Sequence, residues 1–85
     1  MSDWFVYMLR CSDNSLYTGI TTDVERRVKE HNEAKAGAKY TRAKRPVELV
    51  YEEQAETRSV ALKREAQLKK LKKDEKENLL SPIKP

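Results

Sequence analysis

Six consecutive large side chains, Trp4-Phe5-Val6-Tyr7-Met8-Leu9, leave the start of this chain little conformational choice. Successive residues of a strand point to opposite faces, and here both faces are apolar. The run therefore reads as a central strand covered on both sides, over residues 3–11. The turn-forming Ser12-Asp13-Asn14-Ser15 follows, and Leu16-Tyr17-Thr18-Gly19-Ile20 reads as a return strand completing a β-hairpin.

Thr22-Asp23-Val24-Glu25 matches a capping box, a hydroxyl for one exposed amide and a Glu three residues on to reach back. It predicts a helix over residues 23–34 with Val24, Val28 and His31 on one face and Arg27 at its border. Residues 32–45 read as a basic loop with a short helix near 38–43. Pro46 opens a third strand over 47–53, with Val47, Leu49 and Tyr51 on one face and Glu48 and Glu52 on the other, a half-covered pattern that suits a sheet edge. Thr57 caps a long helix to about residue 72, its stripe formed by Val60, Ala61, Leu68 and Leu71 and widened by Leu62 and Ala66. A final short helix over 74–80 ends at Ser81-Pro82, and residues 81–85 are expected to fray.

Eighty-five residues suffice for one domain with one modest core, placed at 1–80, and leave no room for a separate recognition domain. Eighteen Lys and Arg against fourteen Asp and Glu, net +4, favour anionic partners such as nucleic acid. The one cysteine, Cys11, excludes an internal disulfide and reads as a small buried hydrophobe. No apolar run approaches the ~20 residues of a membrane span, and Trp4 to Leu9 is too short for a signal peptide. A cytoplasmic protein without membrane contact is expected.

The polar residues inside these elements point to one chemistry. Arg27 and His31 are one helical turn apart and project together. An arginine fork neutralises charge building on phosphate oxygens better than lysine does. Tyr7 and Tyr17 supply phenols, one of which can activate a water if a cation, metal or base assists it. His31 is open to three roles: a hydrogen-bonded structural histidine, a proton relay or a phosphate contact. Zinc is disfavoured, because one His and one Cys cannot supply its ligands. Ala61, Glu65 and Leu68 at i, i+4, i+7 put Glu65 at the border of a buried stripe, where a carboxylate needs a partner. One Mg²⁺ or Mn²⁺ held by that carboxylate and waters is physically reasonable. Lys39, Arg42, Lys44 and Arg45 with Tyr40 among them suit phosphate contact and base stacking. The set suits phosphodiester cleavage.

Val6-Tyr7-Met8, Tyr17-Thr18-Gly19, Arg27, His31 and Glu65, in this order and spacing, resemble the GIY-YIG nuclease family over about residues 3–80. Ala38-Lys39-Tyr40-Thr41-Arg42 and Arg45-Pro46-Val47 look like its small single-domain bacterial members of the YhbQ/YazA type, close to the nuclease domain of Slx-type structure-specific endonucleases. The resemblance implies an α+β fold, a three-stranded antiparallel sheet flanked by helices in the order β-β-α-(short α)-β-α-α. It also implies Tyr7 as general base, Tyr17 as support for the water or the phosphate, Arg27 as transition-state stabiliser and Glu65 as ligand of one Mg²⁺. Asn78 matches a late asparagine of many members. The implied substrate is DNA, branched or structured forms included, in repair or recombination. Thr18 replaces the family's middle isoleucine, and Ile20 stands where the excision-repair branch has a lysine. Two alternatives remain open: a non-catalytic nucleic-acid-binding module of the same fold, and a nuclease subunit that needs a protein partner for specificity.

Overall fold

A strand with two apolar faces must be covered twice, and the computed structural model, which describes residues 3–33 and 43–80, shows how. Strand β1 (Trp4–Arg10) is central in an antiparallel sheet of order β2-β1-β3, between β2 (Leu16–Thr21) and β3 (Glu48–Ala55). Helix α1 (Val24–Asn32) follows the hairpin, and α2 (Arg58–Lys69) and α3 (Lys73–Leu80) follow β3. The expected order β-β-α-β-α-α is observed, apart from the short helix near 38–43, of which all but Ala43 lies outside the described residues, as do residues 81–85.

Alternation along β1 feeds two cores. Val6 and Met8 join Ala55, Ala61 and Leu68 under α2 and α3. Tyr7, Leu9 and Cys11 join Val47 on the opposite face, with Tyr17 and Val28 packed against them. The hairpin turn holds Asn14 at φ 72°, a left-handed position that asparagine tolerates, while Asp13 Oδ1 accepts from Ser15 N at 3.0 Å and Ser15 Oγ at 2.6 Å.

Four expectations are corrected. The α1 cap is Asp23, not Thr22: its carboxylate accepts from Arg26 N at 3.1 Å, and Thr21 Oγ1 accepts from Asp23 N instead. Glu25 thus sits one position short of a reciprocal box. In β3 strict alternation fails at an irregularity opposite Met8 and Leu9, where Met8 pairs with Tyr51 but Leu9 with Leu49. The extra residue, Val50, packs with Tyr51 on the Val6–Met8 side, whereas Val47 packs on the other. Helix α2 stops at Lys69 rather than residue 72, and only Ala61 and Leu68 of its stripe are fully buried. Val60 is 47% exposed, because the helix lies on the sheet along a narrow i, i+7 line. Thr57 caps α2 as expected, accepting from Val60 N at 3.1 Å. Arg10 anchors α3 through a two-pronged contact with Glu77 at 2.7 and 2.8 Å.

Candidate active site

The site grows from one register pair. Tyr7 of β1 lies opposite Gly19 of β2, and its phenol crosses β2 where a side chain would otherwise stand. A Cβ built on residue 19 would meet Tyr7 Oη at 2.6 Å and Cζ at 2.8 Å. The need for glycine is close approach and not an unusual backbone angle.

Helix α1 brings the next two groups. Val24, Val28 and His31 recur at helical spacing and turn toward the sheet. His31 is fully buried, and its Nε2 lies 2.9 Å from Tyr7 Oη. Tyr17 closes the cluster: its ring meets His31 edge-on at 5.0 Å between centroids and lies 6.3 Å from Tyr7. Arg27, one turn before His31, reaches the Tyr7 phenol with a side-chain hydrogen bond and pairs with Glu30 Oε1 at 2.9 Å.

Electrostatics hold both hydrogen-bonded rings neutral. Burial, with lesser pushes from Tyr17 and Glu65, raises Tyr7 to about 12 against the lowering contact of Arg27. Burial, then the charges of Arg27 and Arg45, lowers His31 to about 4, while Glu30 opposes. Burial also disfavours the Arg27 cation, but its contacts with Glu30 and Tyr7 outweigh this and raise its pKa. At neutral pH the ensemble is a protonated phenol, an uncharged imidazole and a fixed guanidinium.

Glu65 comes from α2, which packs along β2. Its side chain is 19% exposed and pairs with Lys69 at 3.3 Å. Its charge reaches Tyr7. Among the described residues no group of three His, Cys, Asp or Glu could enclose a metal. The donor set therefore fits a hard cation held by one carboxylate, waters and a substrate phosphate, and not an all-protein cage.

The structure brings Tyr7, Tyr17, Gly19, Arg27 and His31 together, with Glu65 in electrostatic reach. Lys39, Tyr40 and Arg42 lie outside the described residues. Lys44 pairs with Asp13 at 3.1 Å. Arg45 spends its fork on backbone, Nε donating to His31 O at 2.6 Å and Nη2 to Glu33 O at 2.7 Å, so it holds the end of α1. Asn78 is exposed on α3 next to Glu77. Two supporting residues escaped the sequence reading. Glu30 was visible as an acid three after Arg27 and four after Arg26. Asn32 was not: its amide makes reciprocal bonds with Val47 N and O at 2.7 and 3.0 Å, a contact set by tertiary placement.

Residues 3–78 match the model of the GIY-YIG catalytic domain. A UPF0213 protein of Haloquadratum walsbyi is 56% identical over 93% of this chain and 89% of its own length. A UPF0213 protein of Syntrophus aciditrophicus is 52% identical over 94% and 92%. The solution NMR structure of a UPF0213 protein from Bacillus halodurans, 44% identical, superposes with a TM-score of 0.59 over 92% of this chain and 82% of that one.

Proposed function

From the premise that this chain belongs to the GIY-YIG catalytic-domain family, we propose that it is a metal-dependent endonuclease hydrolysing phosphodiester bonds of DNA, in repair or recombination. The observation that carries the reading is the Tyr7 phenol held between His31 Nε2 and the Arg27 guanidinium. A phenol with a pKa near 12 is a weak base alone. Placed against a neutral imidazole, it can take a proton from an attacking water while passing its own to Nε2, in the tautomer that leaves Nε2 unprotonated. An incoming phosphate favours this step, since its negative charge stabilises the imidazolium that forms. Arg27, already facing Tyr7, neutralises charge on the non-bridging oxygens as it builds. Tyr17 orients the water or the phosphate beside the His31 ring. Glu65, now paired with Lys69 at 3.3 Å, would hold one Mg²⁺ or Mn²⁺, which would supply Lewis-acid stabilisation of phosphate charge when bound.

The test is cleavage of labelled single-stranded, duplex, flap and four-way-junction DNA with and without Mg²⁺ or Mn²⁺. Metal-dependent cleavage lost in Arg27→Ala and in Glu65→Gln is expected. Cleavage that survives either substitution overturns the mechanism. One observation favours a binding-only reading: Glu65 is a single carboxylate already paired with Lys69. That reading predicts salt-sensitive DNA binding indifferent to Glu65 and metal, with no product from any substrate. No described helix is long and apolar enough to cross a membrane.

A further inference from the structure

Among the described residues, the sheet face that carries the rings is only partly roofed. Helix α1 has nine residues, against twelve and eight in α2 and α3 on the opposite face. Beside α1, toward β3, lies a cavity of about 590 Å³ with Phe5, Val24, Val28 and Leu49 as its apolar lining. Leu49 is 37% exposed there, a large apolar side chain at the water boundary between the exposed Glu48 and Glu52 of β3. Among the described residues its charged lining is acidic: Asp23, Glu25 and Glu52. None of these three carboxylates is in an ion pair among the described residues. Arg26 and Lys29 border a neighbouring hollow outside Glu25, and Arg26 leans to Glu30 at 3.8 Å. This acidity stands out in a chain of net charge +4. A phosphate backbone is repelled from such a groove, whereas lysine or arginine side chains are drawn to it.

We propose that this groove docks a segment of a partner protein, one that seats a large apolar side chain on Phe5 and Leu49 and sets flanking Lys or Arg against Asp23, Glu25 and Glu52. Charge complementarity selects the partner, and the apolar floor supplies the anchor. Strand β3 is one of the two sheet edges, so an extended segment also finds backbone groups to pair with. The groove adjoins the ring cluster: Glu52 is the cross-strand partner of Tyr7, and Val28 packs against the Tyr7–Leu9 core. A docked segment thus brings its cations beside the candidate site. The docking proposal stands whether or not that site cleaves DNA.

The test is selection of random dodecapeptides displayed on phage against the whole chain, with counter-selection on Glu25→Lys/Glu52→Lys. Peptides pairing Lys or Arg with a large apolar residue should dominate. Synthetic versions should shift the amide resonances of Phe5, Val24, Leu49 and Glu52, and bind the charge-reversed chain at least tenfold more weakly. Leu49→Ser should weaken them by a similar factor. If the charge-reversed chain loses its helical circular dichroism, Glu25→Gln/Glu52→Gln makes the same comparison by charge loss. Selection of no basic-apolar class, equal binding to wild type and charge variant, or resonance shifts confined to the lysines of α2 and α3 overturns the proposal. So does a concentration-dependent dimer, seen in sedimentation, that Glu25→Lys/Glu52→Lys abolishes, because the occupant is then a second copy.

Discussion

The two faces of the sheet are built on the same strand and follow different rules. Val6 and Met8 look toward α2 and α3 into an apolar core closed by Ala61 and Leu68. Tyr7 and Leu9 look toward α1, where the buried volume includes a phenol, an imidazole and, at its margin, a guanidinium. The first face is held by burial, which is non-directional and tolerates repacking. The second is held by hydrogen bonds that work only in one geometry and one pair of protonation states. One Thr on the apolar face shows the contrast: the buried Thr18 Oγ1 has no partner among the described residues, whereas the Tyr7 and His31 heteroatoms on the other face meet each other. The sheet thus separates the apolar core from the ring cluster, although Glu65 reaches Tyr7 with its charge from α2 on the apolar side, so substitutions in the core and in the ring cluster should fail differently.

The largest effects test that division directly. Leu68→Ala opens a cavity in the apolar core, and about 2–5 kcal/mol of stability should be lost in urea unfolding. Below the unfolding transition the DNA-cleavage rate should stay within about threefold of wild type. Arg27→Ala should do the reverse, lowering the cleavage rate by about 10²–10³ while the urea midpoint hardly moves. Arg27 is half-buried and exchanges a Glu30 contact for water. Matching losses of rate and stability in both variants would erase the division.

Mild acid should act on the ring face, whereas alkali reaches both faces, because burial and the bond to Glu53 also raise Tyr51 on the other side. His31 has its folded pKa lowered from 6.5 to about 4, so the unfolded chain binds the proton more readily. Stability from this group is present above pH 6.5 and drains away as pH falls toward 4, by on the order of 3 kcal/mol. Tyr7, raised to about 12, works in the opposite direction: stability is full below pH 10 and falls as pH rises toward 12. In His31→Gln the acid limb between pH 6.5 and 4 should flatten. Asp13 and Glu77, held low near 2, lose their contributions as pH falls from their ordinary values of about 4 toward 2, so they overlap only the foot of this window. An unchanged limb in His31→Gln would place the buried titrating group elsewhere.

Next in size is Gly19→Ala. The added Cβ must displace the Tyr7 phenol, with Oη 2.6 Å away. Overpacking of this kind costs about 1–3 kcal/mol, and the Tyr7–His31 contact should break. The expected signature is a hundredfold slower cleavage together with a shift of the His31 ring resonances. Retained activity with unmoved resonances would show that the backbone of β2 yields instead.

The apolar face was largely legible beforehand, because hydrophobic spacing reports burial. Trp4 to Leu9 declared a doubly covered strand, and Ala61 with Leu68 declared the underside of α2. Val60 misled because spacing does not say how narrowly a helix will touch a sheet. The order of β3 misled at Val50, since a one-residue irregularity leaves no mark in an alternation of Val, Leu and Glu. On the other face, residue types were legible and their contacts were not. Tyr7, Arg27 and His31 were identifiable by chemistry and order, but the Gly19–Tyr7 approach follows from strand register. The roles of Arg45 and Asn32 follow from where the chain returns after α1. Arg45 in particular looks like a surface cation in sequence and is a helix clamp in the fold.

The smallest effect concerns the edge between the two kinds of region. Glu30 pairs with Arg27 at 2.9 Å, with both side chains about 30% exposed, so the pair itself is worth only ~0.2–1 kcal/mol. Its use lies in direction: it gives the guanidinium a second partner besides Tyr7, and its charge raises the His31 pKa against burial. Glu30→Gln keeps the shape and removes the charge. The cleavage rate should fall about twofold to fivefold through kcat, with KM nearly constant, because a freer Arg27 still neutralises phosphate but is aimed less well. The acid limb of stability should begin at the same pH but extend slightly lower, with a larger total loss, since His31 then resists protonation further. A purely structural Glu30 would lower the urea midpoint and leave both the kcat and the acid limb where they were, so the two readouts separate positioning from packing.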